Sequence, residues 1–136
     1  MEAIDLKHKG HIVIIDDSEE MRNLCSDFFM SYGFQTTVFE NARKAWEKLS
    51  NDSIFASSVD VILSDIHMPE MDGYGLLMKV RQKLPKVPVV LMTGYGSEAG
   101  SKAAISEGAF KYISKPFQLF DLKSAIDRAI SYKQWG

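Results

Sequence analysis

The sequence predicts an α/β fold, doubly wound about a five-stranded parallel sheet. Two observations carry this expectation. Short apolar runs alternate with helical patterns five times, and three of the runs are near-continuous instead of alternating with polar residues. A continuous run marks a strand covered on both faces, the condition of a parallel sheet held between two helix layers. Strand followed by helix, with right-handed crossovers, then closes into a sandwich. Ligand sites in such sheets lie beyond the carboxyl ends of the strands, where the strand order reverses.

The first run, Ile12-Val13-Ile14-Ile15, is β-branched throughout. Val59 to Leu63, broken by Asp60, and Val87 to Met92, broken by Pro88, are the third and fourth strands. Gln35 to Phe39 is more polar and belongs at an edge, and Ala109 to Ile113 completes the set. Between them, Met21, Leu24, Cys25, Phe28, Phe29 and Tyr32 fall on one helical face, with Asp17 or Ser18 as cap and Gly33 as stop. Ala42, Ala45, Trp46 and Leu49 mark a second helix, and Leu76, Leu77, Val80 and Leu84 a third, stopped by Pro85. Leu119, Leu122, Ala125, Ile126, Ala129 and Ile130 mark the last. Glu98 to Glu107 is alanine-rich, with Ile105 as its one larger apolar residue, so this helix is expected to hold weakly to the core. Ser50 to Ser58 reads as a polar surface loop with Ile54 or Phe55 tucked down as an anchor.

A chain of 136 residues forms one domain with a real core. Residues 10–133 are expected to form it, with residues 1–9 as a leader and 134–136 as a tail or the start of a linker. A net charge of -2 offers no basic field for nucleic acid or an anionic membrane. No apolar stretch approaches the ~20 residues that span a bilayer, and the first ten residues lack the apolar centre of a secretory signal, so a cytoplasmic location is expected. Cys25 is the only cysteine and lies on an apolar helical stripe, as a small core hydrophobe does. His8 and His11, ahead of the first strand, are expected to be solvated.

Polar groups gather at the strand ends. Asp16-Asp17 follow the first strand, Asp65 the third, Thr93-Gly94 the fourth, and Lys115-Pro116 the fifth. An aspartate after a strand is often a helix cap, but Asp16 and Asp17 cannot both cap one helix. Three carboxylates at one rim repel one another unless a cation offsets them. The available donors are hard oxygens, with no cysteine or histidine pair at ligand spacing, which points to Mg²⁺, with Mn²⁺ as the alternative. Lys115 adds a point charge and Thr93 a hydroxyl. Together they describe a receptacle for phosphoryl oxygens with a carboxylate as nucleophile.

Asp16-Asp17, Asp65 within Leu63-Ser64-Asp65-Ile66-His67-Met68-Pro69-Glu70-Met71-Asp72-Gly73, Thr93-Gly94 and Lys115-Pro116 resemble the receiver domain of two-component response regulators, over about Gly10 to Tyr132. Gly108 to Phe117 resembles receivers of the nitrogen-regulator type. The resemblance implies a flavodoxin-like three-layer sandwich with strand order 2-1-3-4-5. It implies Asp65 as phosphoacceptor, and a metal held by Asp17, Asp65 and the His67 backbone carbonyl, with Asp16 acting through water. It implies Lys115 as the partner of the phosphoryl group, in a cis peptide with Pro116, and Thr93 with Tyr112 as the switch pair. His67 and Tyr95, two residues beyond Asp65 and Thr93, are candidates for setting the lifetime of the phosphate. The donor would be a sensor histidine kinase or a histidine phosphotransfer protein. The output would be a further domain or a second copy, reached through the Glu98 to Glu107 helix, the fifth strand and the last helix. Such a chain is a signalling phosphoacceptor with self-catalysed transfer and dephosphorylation, not a metabolic enzyme.

Three rivals fit less well. A haloacid-dehalogenase-like phosphatase needs Asp-x-Asp after the first strand, where this chain has Asp16-Asp17-Ser18. A flavodoxin-like cofactor binder needs a phosphate-cradling loop there, which Asp16-Asp17 would repel. A phosphorylation-independent receiver-like scaffold normally lacks one or more of the site groups, all of which are present.

Overall fold

The computed structural model describes residues 9–135. The expected leader lies outside them except for Lys9, as do His8 and Gly136. Five strands, β1 (His11–Ile15), β2 (Gln35–Phe39), β3 (Val61–Asp65), β4 (Val89–Thr93) and β5 (Lys111–Ser114), form one parallel sheet in the order β2-β1-β3-β4-β5. The helices are α1 (Glu19–Ser31), α2 (Ala42–Asn51), α3 (Ser53–Ser58), α4 (Gly73–Lys83), α5 (Glu98–Ser106) and α6 (Leu119–Trp135). None of these helices is long and apolar enough to cross a membrane.

Successive side chains of a strand point to opposite faces, and here both faces are covered. Val13, Ile15, Ile62, Val89 and Leu91 pack with residues of α2, α3, α4 and α5. Ile12, Ile14, Val61, Leu63, Val90 and Met92 pack with residues of α1 and α6. This two-sided burial is why the central strands read as continuous aliphatic runs. The more polar β2 lies at the edge, as expected. Phe29 of α1 is fully buried and meets Phe34 edge to face, with centroids 5.5 Å apart. Cys25 is fully buried beside it, and burial pushes its thiol up to about 11, as suits a core hydrophobe.

The structure corrects several expectations. Residues 50–58 are not a loop: α2 runs to Asn51, and Asp52 closes it and then caps α3, its side chain accepting from the Phe55 N–H at 2.9 Å. The described residues therefore form six helices. The apolar residues of α3 are too few to show a periodic pattern, which hid it. Phe55 is its anchor and packs on the core, while Ile54 is 82% exposed. Leu24, assigned to the buried face of α1, is 48% exposed, at the margin of the apolar stripe. The third, fourth and fifth strands begin about two residues later than their apolar runs. Val59 closes α3 through its N–H to the Ala56 carbonyl, and Pro88 has no N–H to enter a ladder.

His11 is buried, not solvated. Its Nδ1 lies 3.0 Å from Ser58 Oγ and its Nε2 2.7 Å from Thr37 Oγ1, and its ring meets Phe55 edge-on. Ser58 Oγ donates to the Phe55 carbonyl, which leaves its lone pairs to accept from an Nδ1–H of His11. The imidazole thus ties β1 to β2 and α3.

α5 is held as lightly as its composition implies. Ala104 is its one buried residue, and Ile105 points outward at 48% exposure.

Truncating Phe29 to Ala is expected to cost about 3–5 kcal/mol of unfolding free energy in urea, whereas Ile54→Ser stays within about 0.5 kcal/mol. Equal losses for the two variants would contradict this assignment of the core.

Candidate metal and phosphoryl site

Parallel register brings the polar strand ends to one level. Ile15 pairs with Ser64, so Asp16 follows β1 alongside Asp65. Asp65 pairs with Met92, and Thr93 with Ser114, so Thr93 and Lys115 follow in turn on the neighbouring strands. The site is a consequence of register in a sheet whose strands all end at this edge.

Local contacts then aim each group. Ser18 caps α1, its Oγ accepting from the Met21 N–H at 3.2 Å, which leaves Asp17 outside the cap. Asp16 is 1% exposed; its Oδ1 accepts from the Ser18 N–H at 2.9 Å and its Oδ2 lies 3.2 Å from Lys115 Nζ. Lys115 Nζ also lies 3.5 Å from Asp65 Oδ1. Carboxylate oxygens of Asp16, Asp17 and Asp65 all lie within 4.8 Å of one another. Asp17 is exposed and has no cationic partner among the described residues.

Asp65 is 6% exposed, and burial pushes its carboxyl above the usual carboxylate range; Asp16 adds to the rise and Lys115 opposes it. Burial pulls Lys115 down, but the carboxylates of Asp16 and Asp65 outweigh it and hold the ammonium above its ordinary value. Three carboxylates against one ammonium leave two units of negative charge, which one divalent cation matches. The donor set is oxygen throughout, as Mg²⁺ or Mn²⁺ prefers.

Thr93 is buried, and its Oγ1 accepts from the Tyr95 N–H at 3.0 Å. A Cβ on Gly94 would meet nothing within 4 Å, so the space beside Thr93 is open. Tyr112 is partly buried, with its hydroxyl accepting from the Ser97 N–H at 3.3 Å at the start of α5. His67 and Tyr95 meet edge-on, their ring centroids 5.0 Å apart, although Tyr95 is 80% exposed. The Lys115–Pro116 peptide is cis.

Two residues escaped the reading of the sequence. Arg22 Nη1 donates to the Asp16 carbonyl at 2.8 Å and so braces the turn that presents both acidic groups. An arginine one turn into a helix carries no motif that would single it out. Gly73 opens α4 directly against the end of β3: a Cβ there would lie 2.7 Å from the Asp65 carbonyl oxygen and 2.9 Å from Ile66 Cα. Its N–H donates to the Ile66 carbonyl at 2.9 Å. Gly73 was legible only as part of a turn pattern, and not as a position where the absence of a side chain lets α4 seat beneath Asp65.

A folded-state carboxyl raised above its unfolded value weakens folding as pH rises through that interval, and the penalty persists at neutral pH. Replacing Asp65 by Asn is therefore expected to raise the urea midpoint of the chain in chelator at neutral pH. A lowered midpoint would mean that the Lys115 contact outweighs burial and repulsion.

Comparison with known proteins agrees with this geometry. The family model for the response regulator receiver domain matches residues 12–127. The DNA-binding transcriptional regulator NtrC of Escherichia coli (strain K12) is 34% identical over 126 residues, covering 93% of this chain and 26% of the relative. Regulatory protein AtoC of the same strain is 38% identical over 122 residues, covering 89% of this chain and 25% of the relative. The chain thus spans about a quarter of the length of these relatives. A response regulator receiver domain protein from Clostridium thermocellum superposes with a TM-score of 0.85 at 26% identity, covering 93% of this chain and 98% of that one. With a parallel sheet in the order 2-1-3-4-5 and an acidic cluster at its carboxyl edge, this chain belongs to the response regulator receiver domain family.

Proposed function

We propose that the chain accepts a phosphoryl group on Asp65 and thereby switches the surface it offers to an output partner. The observation that carries this reading is the approach of the Asp16, Asp17 and Asp65 oxygens to within 4.8 Å, with Lys115 reaching two of the three. Asp17, Asp65 and the His67 carbonyl would hold Mg²⁺, or Mn²⁺ in its place, with Asp16 acting through water. The ion, when bound, supplies positive charge to the phosphoryl oxygens and relieves the repulsion among the carboxylates.

An Asp65 carboxylate oxygen attacks phosphorus in line, and the bond from phosphorus to the donor's imidazole nitrogen breaks, the electron pair leaving with the imidazole. The donor class is a sensor histidine kinase or a histidine phosphotransfer protein. Lys115 pairs with a phosphoryl oxygen as the transferred charge arrives. Thr93 exchanges its contact with the Tyr95 N–H for one to the phosphoryl group, and the loop after β4 moves with it. That loop leads to α5, which Ala104 alone anchors by burial and which Tyr112 tethers through Ser97. A lightly held helix has a second arrangement within reach of a few kcal/mol, and the face formed by α5, β5 and α6 changes accordingly.

The relative NtrC, a DNA-binding transcriptional regulator of which this chain covers 26%, supports an output of that kind, through a further domain or through a second copy docked on this face. The domain itself, with a net charge of -2, would make no direct contact with nucleic acid. Residues 10–133 form the receiver unit in this reading, working in the cytoplasm. Hydrolysis of the acyl phosphate at the same site resets the domain, which makes it a timed switch and not a metabolic enzyme. The His67–Tyr95 pair, whose rings meet edge-on, would govern water access to phosphorus, and so the lifetime of that state.

Acetyl phosphate with Mg²⁺ is expected to add one phosphoryl mass to the intact chain, hydroxylamine-sensitive and mapping to Asp65, and absent from Asp65→Ala. His67→Asn is expected to alter the decay rate of the adduct while leaving its formation intact. A chain that folds, binds Mg²⁺ and gains no adduct would instead be a phosphorylation-independent scaffold.

A further inference from the structure

The opposite edge of the sheet carries a second concavity that the phosphoryl chemistry does not use. A groove of about 780 Å³ opens where β4 begins, walled by α2, α3, the end of α4 and Lys133 of α6. Trp46, Leu49, Leu84 and Val87 supply an apolar floor. Leu49 and Val87 are buried in the core, while Trp46 and Leu84 pack on it and keep part of their surface open.

Around this floor every charged lining residue among the described residues is a lysine: Lys83, Lys86 and Lys133. Lys133 is partly committed, with its Nζ 2.8 Å from the Val59 carbonyl and 3.3 Å from Asp60 Oδ1. Lys83 and Lys86 are exposed, and neither pairs with a carboxylate among the described residues. The two lysines of α2, outside the groove lining, are both spent on neighbouring acids, Lys44 on Glu40 and Lys48 on Asp52. A chain with more acidic than basic residues thus places the unpaired ammonium groups of Lys83 and Lys86 at the rim of an apolar groove whose described lining residues include no carboxylate.

We propose that this groove binds a small aromatic carboxylate. The volume is that of a small-molecule site, and an apolar floor with a few polar groups at its rim is the usual construction of one. The indole of Trp46 offers a ring against which a flat aromatic body packs. Lys83 and Lys86 are point cations without the fixed fork of arginine, so they attract a carboxylate without prescribing a bidentate geometry. Charge complementarity selects an anion, and the apolar floor selects against a fully hydrated one. The inference is independent of the chemistry at Asp65, since no residue is shared between the two sites.

The test is an amide-shift titration of the ¹⁵N-labelled full chain with 1-naphthoate, with neutral 1-naphthamide as comparison. Saturable shifts confined to Ser53, Ala56, Lys83, Lys86 and Val87, with the amide binding about tenfold more weakly, are expected. The double variant Lys83→Glu with Lys86→Glu, both exposed and so expected to fold, should lose about tenfold in affinity. Lys79→Glu, the same change of charge on α4 away from the groove lining, should leave affinity unchanged. Shifts scattered over the surface, equal binding of acid and amide, or equal loss in Lys79→Glu would overturn the proposal. So would groove shifts that follow protein concentration in place of ligand, which would make a second copy the occupant.

Discussion

The organising constraint of this molecule is an excess of negative charge at one edge of its sheet. Asp16 and Asp65 are nearly removed from solvent, Asp17 stands beside them, and among the described residues Lys115 is the one ammonium paired with them. Burial and the neighbouring carboxylate both push the Asp65 carboxyl upward, so its ionised form is held at an energetic disadvantage. A core assembled for stability alone would not concentrate like charges in this way. The disadvantage is removed by whatever delivers positive charge, as a divalent cation would.

Everything around the site serves to hold those groups in place despite their repulsion. Strands buried on both faces have a register that cannot slip, because a slip would exchange the two apolar faces. That register carries Asp16, Asp65, Thr93 and Lys115 to a common level. Ser18 takes the capping duty that would otherwise occupy Asp17, Arg22 braces the Asp16 backbone, and Gly73 lets α4 close against the end of β3. The lightly packed α5 is the counterpart of this rigidity: the charged edge is firmly held, and α5, through which the proposed switch would act, is not.

Much of this was legible in the sequence, for physical reasons that differ from residue to residue. Ile12 to Ile15 announces a two-sided strand because burial on both faces forbids polar alternation. Asp65 stands out because an apolar run ending on a carboxylate places it at the edge where chemistry is found. Where the reading failed, the information was nonlocal or too short to be periodic. α3 has six residues and no helical stripe to detect. His11 looks like a solvent-facing histidine until Ser58 and Thr37, distant along the chain, close on both of its ring nitrogens. Leu24 satisfies the spacing of a buried position, but the core does not extend to that edge of the stripe. Arg22 and Gly73 matter through one backbone contact each, and pattern does not report such contacts.

The two ends of the sheet differ in sign as well as in use, acidic at the carboxyl edge and lysine-rimmed at the amino edge beside β4. The acidic end carries the functional reading, and its shared cation is the premise on which that reading rests. Calorimetric titration of Mg²⁺ into the chain at neutral pH measures it most directly. A single site that weakens by tenfold or more in Asp17→Ala, a variant of an exposed side chain that leaves the fold intact, is the predicted result. Binding of equal strength in that variant, or no saturable binding in the native chain, would contradict it.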